Sequence, residues 1–389
     1  MTVSGSDEMP TVAKFSTHFL EYSQTFVYDE TVLQNRYEVE VFCKKRMNED
    51  RFPYSRVHVA GPLYGITRKD AGFERHFASR RFALVHAHFG LGGVYALRYA
   101  RKYDLPLVVT FHGYDVPILQ SPARFGPRYL RYTLYARSLF ERMTIGLCAS
   151  IELMDILKEL GVPEGRLALH HIGIDVDKFS GKPRVSDGPA HVVMLGRFVD
   201  KKGFEYGIEA FARATAGTSA RLTLIGGGEL EGRYRALVAK LGIGERVQFA
   251  GTLPSRQVAE RLRDADVLLA PSVVGAGGNR ESGLLSVKEA SASCVVPVGT
   301  RHGGIPEIID DGVTGFLVPE RDVGALADRL SILLKDAELR RRMAVAARAK
   351  MQSEYDNRAS VDRLEKRYDE AVSRHGKGRI ALRSEHPLA

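Results

Sequence analysis

A chain of 389 residues exceeds what one hydrophobic core normally covers, which predicts two domains. Its 44% hydrophobic and 26% charged residues are ordinary for a globular protein, and no apolar run reaches the roughly 18–20 residues of a membrane span. The net charge of +9 suits an enzyme handling phosphorylated ligands, or one resting on an anionic membrane, as well as it suits a nucleic-acid binder, and no nucleic-acid module accompanies it.

In chain order, the polar, acidic residues 1–10 have none of the features of a signal peptide. Cys43, Cys148 and Cys294 are odd in number, far apart and without metal-ligand spacing, so a reduced, cytoplasmic location is expected. Short β-branched runs then alternate with helical stretches and glycine turns, the pattern of βαβ units and parallel sheets. Strands are predicted at 12–15, 38–43, 83–87, 107–111, 144–148 and 167–170, and again at 191–195, 221–225, 246–249, 267–269, 295–298 and 315–318. Helices are predicted at 204–214, 231–241, 255–262 and 323–334. The stretch 180–190 is rich in Gly, Pro and Ser and reads as an interdomain linker. Beyond Asp336 a nearly continuous helix runs to about Val372, and the basic tail 373–389 is expected to be disordered.

Two loops carry the chemistry. In the segment NRESGLLSVKEA, Glu281 and Glu289 are eight residues apart, which on one helix would set them about 80° apart. Ser282 and Gly283 suggest instead that Glu281 lies in a loop and Glu289 inside the helix that follows. The backbone N–H groups from Ser282 through Gly283 and Leu284 to Leu285 could then face a diphosphate at a helix start. Two carboxylates suit a hydroxyl-rich ligand, since each accepts hydrogen bonds from a diol; two solvated glutamates on an amphipathic helix are the plain alternative. In LGRFVDKKGF, directly after a predicted strand, Arg197 and Lys202 present two cations at one loop, within reach of phosphates.

These residues, with HGGIPEIIDDGVTGFLVP beginning at His302, resemble the retaining GT-B glycosyltransferases of family four. HAHFG beginning at His86, TFHGYDV beginning at Thr110 and HIGIDVDKF beginning at His171 match the same family in the expected order, and the resemblance covers nearly the whole chain. It implies an α/β fold of two Rossmann-like, doubly wound parallel-sheet domains facing across a cleft. The division would be an acceptor-binding domain at 1–183, a nucleotide-sugar-binding domain at 184–355 and a helix at 356–372 returning to the first. It further implies a metal-independent hexosyltransferase, without cofactor, using a nucleotide-diphosphate sugar (UDP-sugar favoured). Arg197 and Lys202 would grip the diphosphate, Glu289 the ribose and Glu281 the transferred sugar. Gly251–Leu253 would lie against the base, with Gly227 in the glycine turn near the donor. His112 would sit across the cleft by the sugar and the acceptor. Retention would proceed on the front face, a donor phosphate oxygen taking the acceptor proton.

His112 follows an apolar strand, where ligands of open α/β sheets gather. His86 and His88 lie two residues apart on a strand end; with no third ligand in view they read as structural or cleft-lining. Asp175 with Asp177, and Asp264 with Asp266, have Asp-X-Asp spacing but lie at strand ends, and no metal site is assigned to them. Cys294 stands where the family usually has glycine. On the acceptor side, Ser23 and Thr25 begin the first helix, while Tyr114 and Asp115 belong to the His112 motif. The segment 121–142 has five arginines against one glutamate, with Phe125, Tyr129, Tyr132, Ala136 and Phe140 at helical spacing. It reads either as a face for an anionic membrane or lipid-diphosphate acceptor, or as a helix burying its aromatics. A glycan or lipid-linked acceptor in polysaccharide assembly, a small soluble acceptor in secondary metabolism, and the remote alternative of a nucleic-acid-binding protein remain open at this point; no nucleic-acid partner is expected.

Overall fold

The strands β1 (Thr11–Phe19), β2 (Glu38–Arg46), β3 (Val57–Val59), β4 (Leu84–His88), β5 (Leu107–Phe111), β6 (Ile145–Cys148) and β7 (Leu167–Leu169) form one parallel sheet. Its order is β3-β2-β1-β4-β5-β6-β7. A second parallel sheet takes β8 (His191–Leu195), β9 (Arg221–Ile225), β10 (Val247–Gly251), β11 (Val267–Ala270), β12 (Val296–Thr300) and β13 (Phe316–Val318), in the order β10-β9-β8-β11-β12-β13. The computed structural model describes residues 9–21, 24–184 and 188–385, and the backbone alone at 277 and 378–385. Central strands are buried along all or nearly all of their length because helices cover both faces, so VVML and VLLA read as apolar runs rather than as alternating patterns.

Every predicted strand is present; β3 was not predicted, because three residues are too few to show a period. The predicted helices appear as Phe204–Ala214, Glu231–Lys240, Ser255–Arg263 and Val323–Lys335. Past Asp336 there are two helices, Ala337–Glu354 and Asn357–Glu385, rather than one. The break has a cause in the backbone. Ile174 donates its N–H to the carbonyl of Tyr355 (2.8 Å) and accepts from the N–H of Asn357 (2.9 Å), so Tyr355 and Asp356 pair sideways instead of continuing the helical ladder.

Contacts divide the chain into Met1–His171 with Arg358–Ala389, and Ile172–Asn357. The boundary therefore precedes Ile172 and is not at 183. The composition of 180–190 suggested a linker, but Ile174, Val176 and Phe179 just before it are buried in the core of the second unit with Met351 and Tyr355. The tail is corrected likewise: residues 373–385 continue the last helix, where Arg374 bonds the carbonyl of Gly165 (2.6 Å), and 386–389 lie outside the described residues. In each sheet the strand order reverses beside its first strand, between β1 and β4 and between β8 and β11. Loops leaving the C-terminal ends at such a switch point are where open α/β sheets bind ligands.

Candidate active site

In the second unit the loop after β8 carries Arg197, Lys201 and Lys202, and the loop after β11 carries Glu281. β8 and β11 are paired neighbours, so the switch point brings the two loops together. The ammonium of Lys202 lies 3.2 Å from Oε2 of Glu281, and that of Lys201 lies 3.1 Å from Oε1. Lys201 also donates to the carbonyl of Arg280 (3.1 Å). Burial alone would raise the carboxyl pKa of Glu281; the ammonium groups of Lys202 and Lys201 outweigh it and hold it at about 2. Burial lowers the pKa of Lys202, opposed by Glu281 and assisted by Lys201 and Arg197, which places Arg197 within electrostatic reach.

Two glycines make this convergence possible. Gly203 has φ +58°, and a Cβ there would lie 2.0 Å from the carbonyl oxygen of Pro271 at the end of β11. A Cβ on Gly226 (φ +140°) would lie 1.9 Å from the carbonyl oxygen of Gly196. With no side chain at either position the loops close on one another. Backbone bonds then lace three of them: Gly196 N–H to Ile225 (3.0 Å), Phe198 N–H to Gly227 (2.8 Å) and Gly226 N–H to Gly251 (2.9 Å). Gly227 and the Gly251–Leu253 turn thereby share the edge that carries Arg197.

Glu281 precedes the helix Leu285–Ala292, and Glu289 is half-buried inside it. Ser282, Gly283 and Leu284 link the two, and no side chain caps Leu284, so the helix start presents its backbone N–H groups. Two residues not singled out from sequence hold the glutamate loop. Nε2 of His302 accepts the backbone N–H of Glu281 (3.1 Å), and its Nδ1 lies 2.7 Å from Oε1 of Glu320, which fixes the ring. Lys288 is buried between the two glutamate positions, donates to the carbonyl of Ile172 (2.8 Å) and lies 4.6 Å from the ring centre of Tyr355. Burial pushes its pKa down to about 7, with Glu307 opposing. Of the Asp-X-Asp pairs, Asp175 accepts the N–H groups of Asp177 (3.1 Å) and Lys178 (2.9 Å), and Asp266 is ion-paired with Arg184 (2.6 Å).

Known proteins match this chain in two parts. The model for "Glycosyltransferase Family 4" matches residues 31–178, and that for "Glycosyl transferases group 1" matches 175–350. The putative colanic acid biosynthesis glycosyltransferase WcaL of Salmonella typhimurium is 31% identical over 278 residues, 70% of this chain and 67% of that protein. The chain belongs to glycosyltransferase family 4. The amylovoran biosynthesis glycosyltransferase AmsK of Erwinia amylovora is 30% identical over 284 residues, 71% of this chain and 67% of that relative. The chain thus spans about two thirds of the length of these curated relatives. Among solved structures, Anabaena HepE in complex with UDP superposes with a TM-score of 0.75 at 16% identity, covering 93% of this chain and 100% of that one; at this identity the likeness concerns the GT-B fold.

The first unit of this family 4 transferase holds a buried charged network at its own switch point. Lys14 on β1 lies 2.9 Å from Oε1 of Glu30, whose carboxylate also meets Nε2 of His88 (3.2 Å) and Nδ1 of His86 (3.8 Å). His86 in turn lies 2.7 Å from both the hydroxyl of Thr110 and that of Tyr368 on the last helix. Nδ1 of His88 is 2.9 Å from Nε2 of His112. Burial, then His88, hold the pKa of His112 well below the usual histidine range, so the ring is neutral at neutral pH. His86 and His88 do therefore have a third ligand-type neighbour, Glu30, which sequence spacing did not reveal.

Asp115 is a correction. It is buried, with Oδ1 accepting the backbone N–H groups of His112 (3.2 Å) and Gly113 (3.0 Å) and Oδ2 that of Gly90 (2.8 Å). Both oxygens are committed to backbone, so it shapes the His112 turn rather than meeting an acceptor; burial pushes its pKa up to about 6 against these bonds. Tyr114 is exposed, with its ring 5.5 Å from that of Phe89. Thr25 is the half-buried first residue of the helix Thr25–Val32. Ser23 lies outside the described residues.

The segment 121–142 is also revised. It divides into a 3-10 turn at Pro122–Phe125 and the helix Leu130–Arg142. Tyr132, Ala136 and Phe140 are buried, whereas Phe125 is 62% and Leu134 69% exposed. Tyr132, Ala136 and Phe140 thus mark the core side, whereas Phe125, from the same periodic set, is left outside together with Leu134.

Proposed function

We propose that this chain is a retaining hexosyltransferase that takes its sugar from a nucleotide-diphosphate sugar, with a UDP-sugar favoured, and delivers it to a hydroxyl of a glycan or lipid-linked acceptor in polysaccharide assembly. The observation that carries the reading is Glu281 held ionised by Lys201 and Lys202 at the start of the helix bearing Glu289. A diphosphate needs cations and backbone donors, and a sugar needs carboxylate acceptors; this edge of the second sheet supplies both. WcaL and AmsK are glycosyltransferases of colanic acid and amylovoran biosynthesis, and HepE was crystallised with UDP.

In this reading Arg197 and Lys202 stabilise the charge of the departing nucleotide, and Glu281 releases one lysine to the phosphate as it turns to the sugar hydroxyls. Glu289 takes the ribose, while Gly227, Leu253, Gly283, Leu284 and Leu285 line the donor. His112, neutral, donates or accepts a hydrogen bond without delivering a proton. Thr25 and Tyr114 are assigned to the acceptor. Fixed cations stabilise the leaving diphosphate, so turnover is assigned as metal-independent, and the location as cytoplasmic with peripheral membrane contact. Among the described residues no helix is long and apolar enough to cross a membrane. Phe125, Leu134 and the neighbouring arginines support contact with an anionic lipid surface.

A panel of nucleotide sugars screened by thermal shift tests the donor assignment, because a ligand of the folded state raises Tm in proportion to RT ln(1 + [L]/Kd). Stabilisation by UDP and one UDP-hexose is expected. A flat response to every nucleoside diphosphate sinks the reading. Loss of turnover with a chelator sinks its metal-free part, and equal sedimentation with neutral and anionic vesicles its membrane part.

A further inference from the structure

Two clusters in the first unit bring a carboxylate and two imidazoles within reach of one ion, Glu30 with His86 and His88, and Glu40 with His58 and His76. The first already contains a cation: the ammonium of Lys14 sits 2.9 Å from Oε1 of Glu30, and the ammonium and both imidazoles are closed from solvent, with Glu30 itself 12% exposed. The second is open to solvent at its imidazoles, and the cation beside it, Arg80, meets the other carboxylate oxygen.

Glu40 lies on β2, His58 on β3 and His76 on the helix Ala71–Ser79. Phe42 pairs with His58 in the β2–β3 register, and Glu40 lies two residues earlier on the same face of β2. The Phe42 ring stacks on that of His58 with centroids 4.8 Å apart, which sets the imidazole plane, and the two imidazoles have centroids 4.2 Å apart. Both Nε2 atoms point at one oxygen, Oε2 of Glu40; that of His58 is 3.0 Å away and that of His76 is in closer contact. The other oxygen, Oε1, is taken by Arg80 at 2.9 Å. Arg80 also meets Glu38 (2.7 Å), a carboxylate it shares with Arg56 (3.0 Å). The Glu40 side chain is 3% exposed, while those of His58 and His76 are 32% and 30% exposed and leave an entry from solvent.

We infer that Glu40, His58 and His76 form a site for a borderline first-row divalent ion such as Zn2+, with two imidazole nitrogens and one monodentate carboxylate as protein ligands. Two N–H donors aimed at a single carboxylate oxygen are the metal-free form of such a chelate. As the ion enters, each imidazole moves its proton to Nδ1 and offers Nε2, and no net proton need leave. An N2O set with open positions for water suits Zn2+, Ni2+ or Co2+ and not Mg2+ or Ca2+, which demand oxygen. The ion would tie the edge strand β3 and the helix Ala71–Ser79 to β2. The site lies in the first unit, and the residues assigned to the donor lie in the second.

The test uses the full chain, stripped with EDTA and dialysed. Titration with Zn2+ should show one equivalent bound at micromolar affinity or tighter and a rise in Tm, and Co2+ should give visible d–d absorption. His58→Gln and His76→Gln should each weaken Zn2+ binding at least tenfold and abolish the Co2+ bands, while UDP binding, read on the same samples, stays at the wild-type level. Zn2+ affinity unchanged in the variant carrying both substitutions, or no binding by the wild type, overturns the inference. Should the variants fail to fold, zinc-edge X-ray absorption of the wild type decides: two imidazoles in the first coordination sphere support the site, and fewer than two overturn it.

Discussion

The ammonium of Lys202 stands 3.2 Å from the carboxylate of Glu281, and both side chains are largely closed to solvent. A pair so placed stores positive charge beside the start of a helix while keeping it neutralised until a stronger anion arrives. In the proposed reading a diphosphate is that anion, and its arrival would exchange one partner of the lysine for another, which avoids leaving either charge buried alone.

Lys202→Ala, Arg197→Ala and Glu289→Ala should therefore each lower kcat/KM with the preferred nucleotide sugar at least tenfold, about 1.4 kcal/mol per decade. Lys202→Ala should also weaken UDP binding in a calorimetric titration. Wild-type kinetics in all three variants would remove the donor site from this edge of the sheet.

Glu30→Gln should be costly for a different reason. It leaves the ammonium of Lys14 buried without its carboxylate, a loss of about 3–5 kcal/mol in unfolding free energy. Adding Lys14→Met to Glu30→Gln should recover a large part of that loss. Denaturant melts of the two single variants and the double variant read the coupling, and simple additivity would show that the pair is not the source.

Lys288 links stability to alkaline pH. Its folded-state pKa of about 7 lies below the ordinary 10.5, so across that interval the unfolded chain holds a proton that the folded chain has released. Stability accordingly gains as pH rises through the window, and the cost of burying the charge is felt in full below it. Lys288→Met removes the titration. The variant's Tm relative to wild type should be more favourable at about pH 6 than at about pH 10, and a pH-independent difference would contradict the buried, depressed lysine.

Cys294 has φ +61°, in the region that favours glycine, and its thiol contacts the carbonyl of Gly181 at 3.3 Å. Cys294→Gly relieves the backbone but gives up that contact and adds freedom to the unfolded chain. The opposing effects should leave unfolding free energy within about 1 kcal/mol of wild type, measured by urea titration.

Much of this was legible in the sequence because local signals agreed with the fold. Runs such as VVML and VLLA have the length and branching of buried parallel strands, and the spacing of Glu281 and Glu289 across Gly283 separates a loop residue from a helical one. What escaped notice depended on contacts distant in the chain. Glu30, on the helix Thr25–Val32, is far from His86 in sequence and meets it only in the folded unit. The role of His302 depends on Glu320, and that of Lys201 on Glu281, partners that no local period reveals. Asp115 misled for a related reason: a polar residue in a motif looks available to a ligand until its three backbone donors are counted. The residues before the supposed linker misled because the glycine and proline of 180–190 drew the boundary forward, while Ile174 and Phe179 anchor the preceding stretch in the second core.

The last helix gives the molecule an unusual dependence on its own far end. Glu365 receives the backbone N–H groups of Asn35 (2.9 Å) and Arg36 (2.8 Å), and Tyr368 reaches His86. A fragment stopping at His171 would thus have an intact run of seven strands yet lack the lid on its histidines and the acceptor for its first turn. Splitting this enzyme into working halves would take two cuts, with the final helix supplied to the amino-terminal piece.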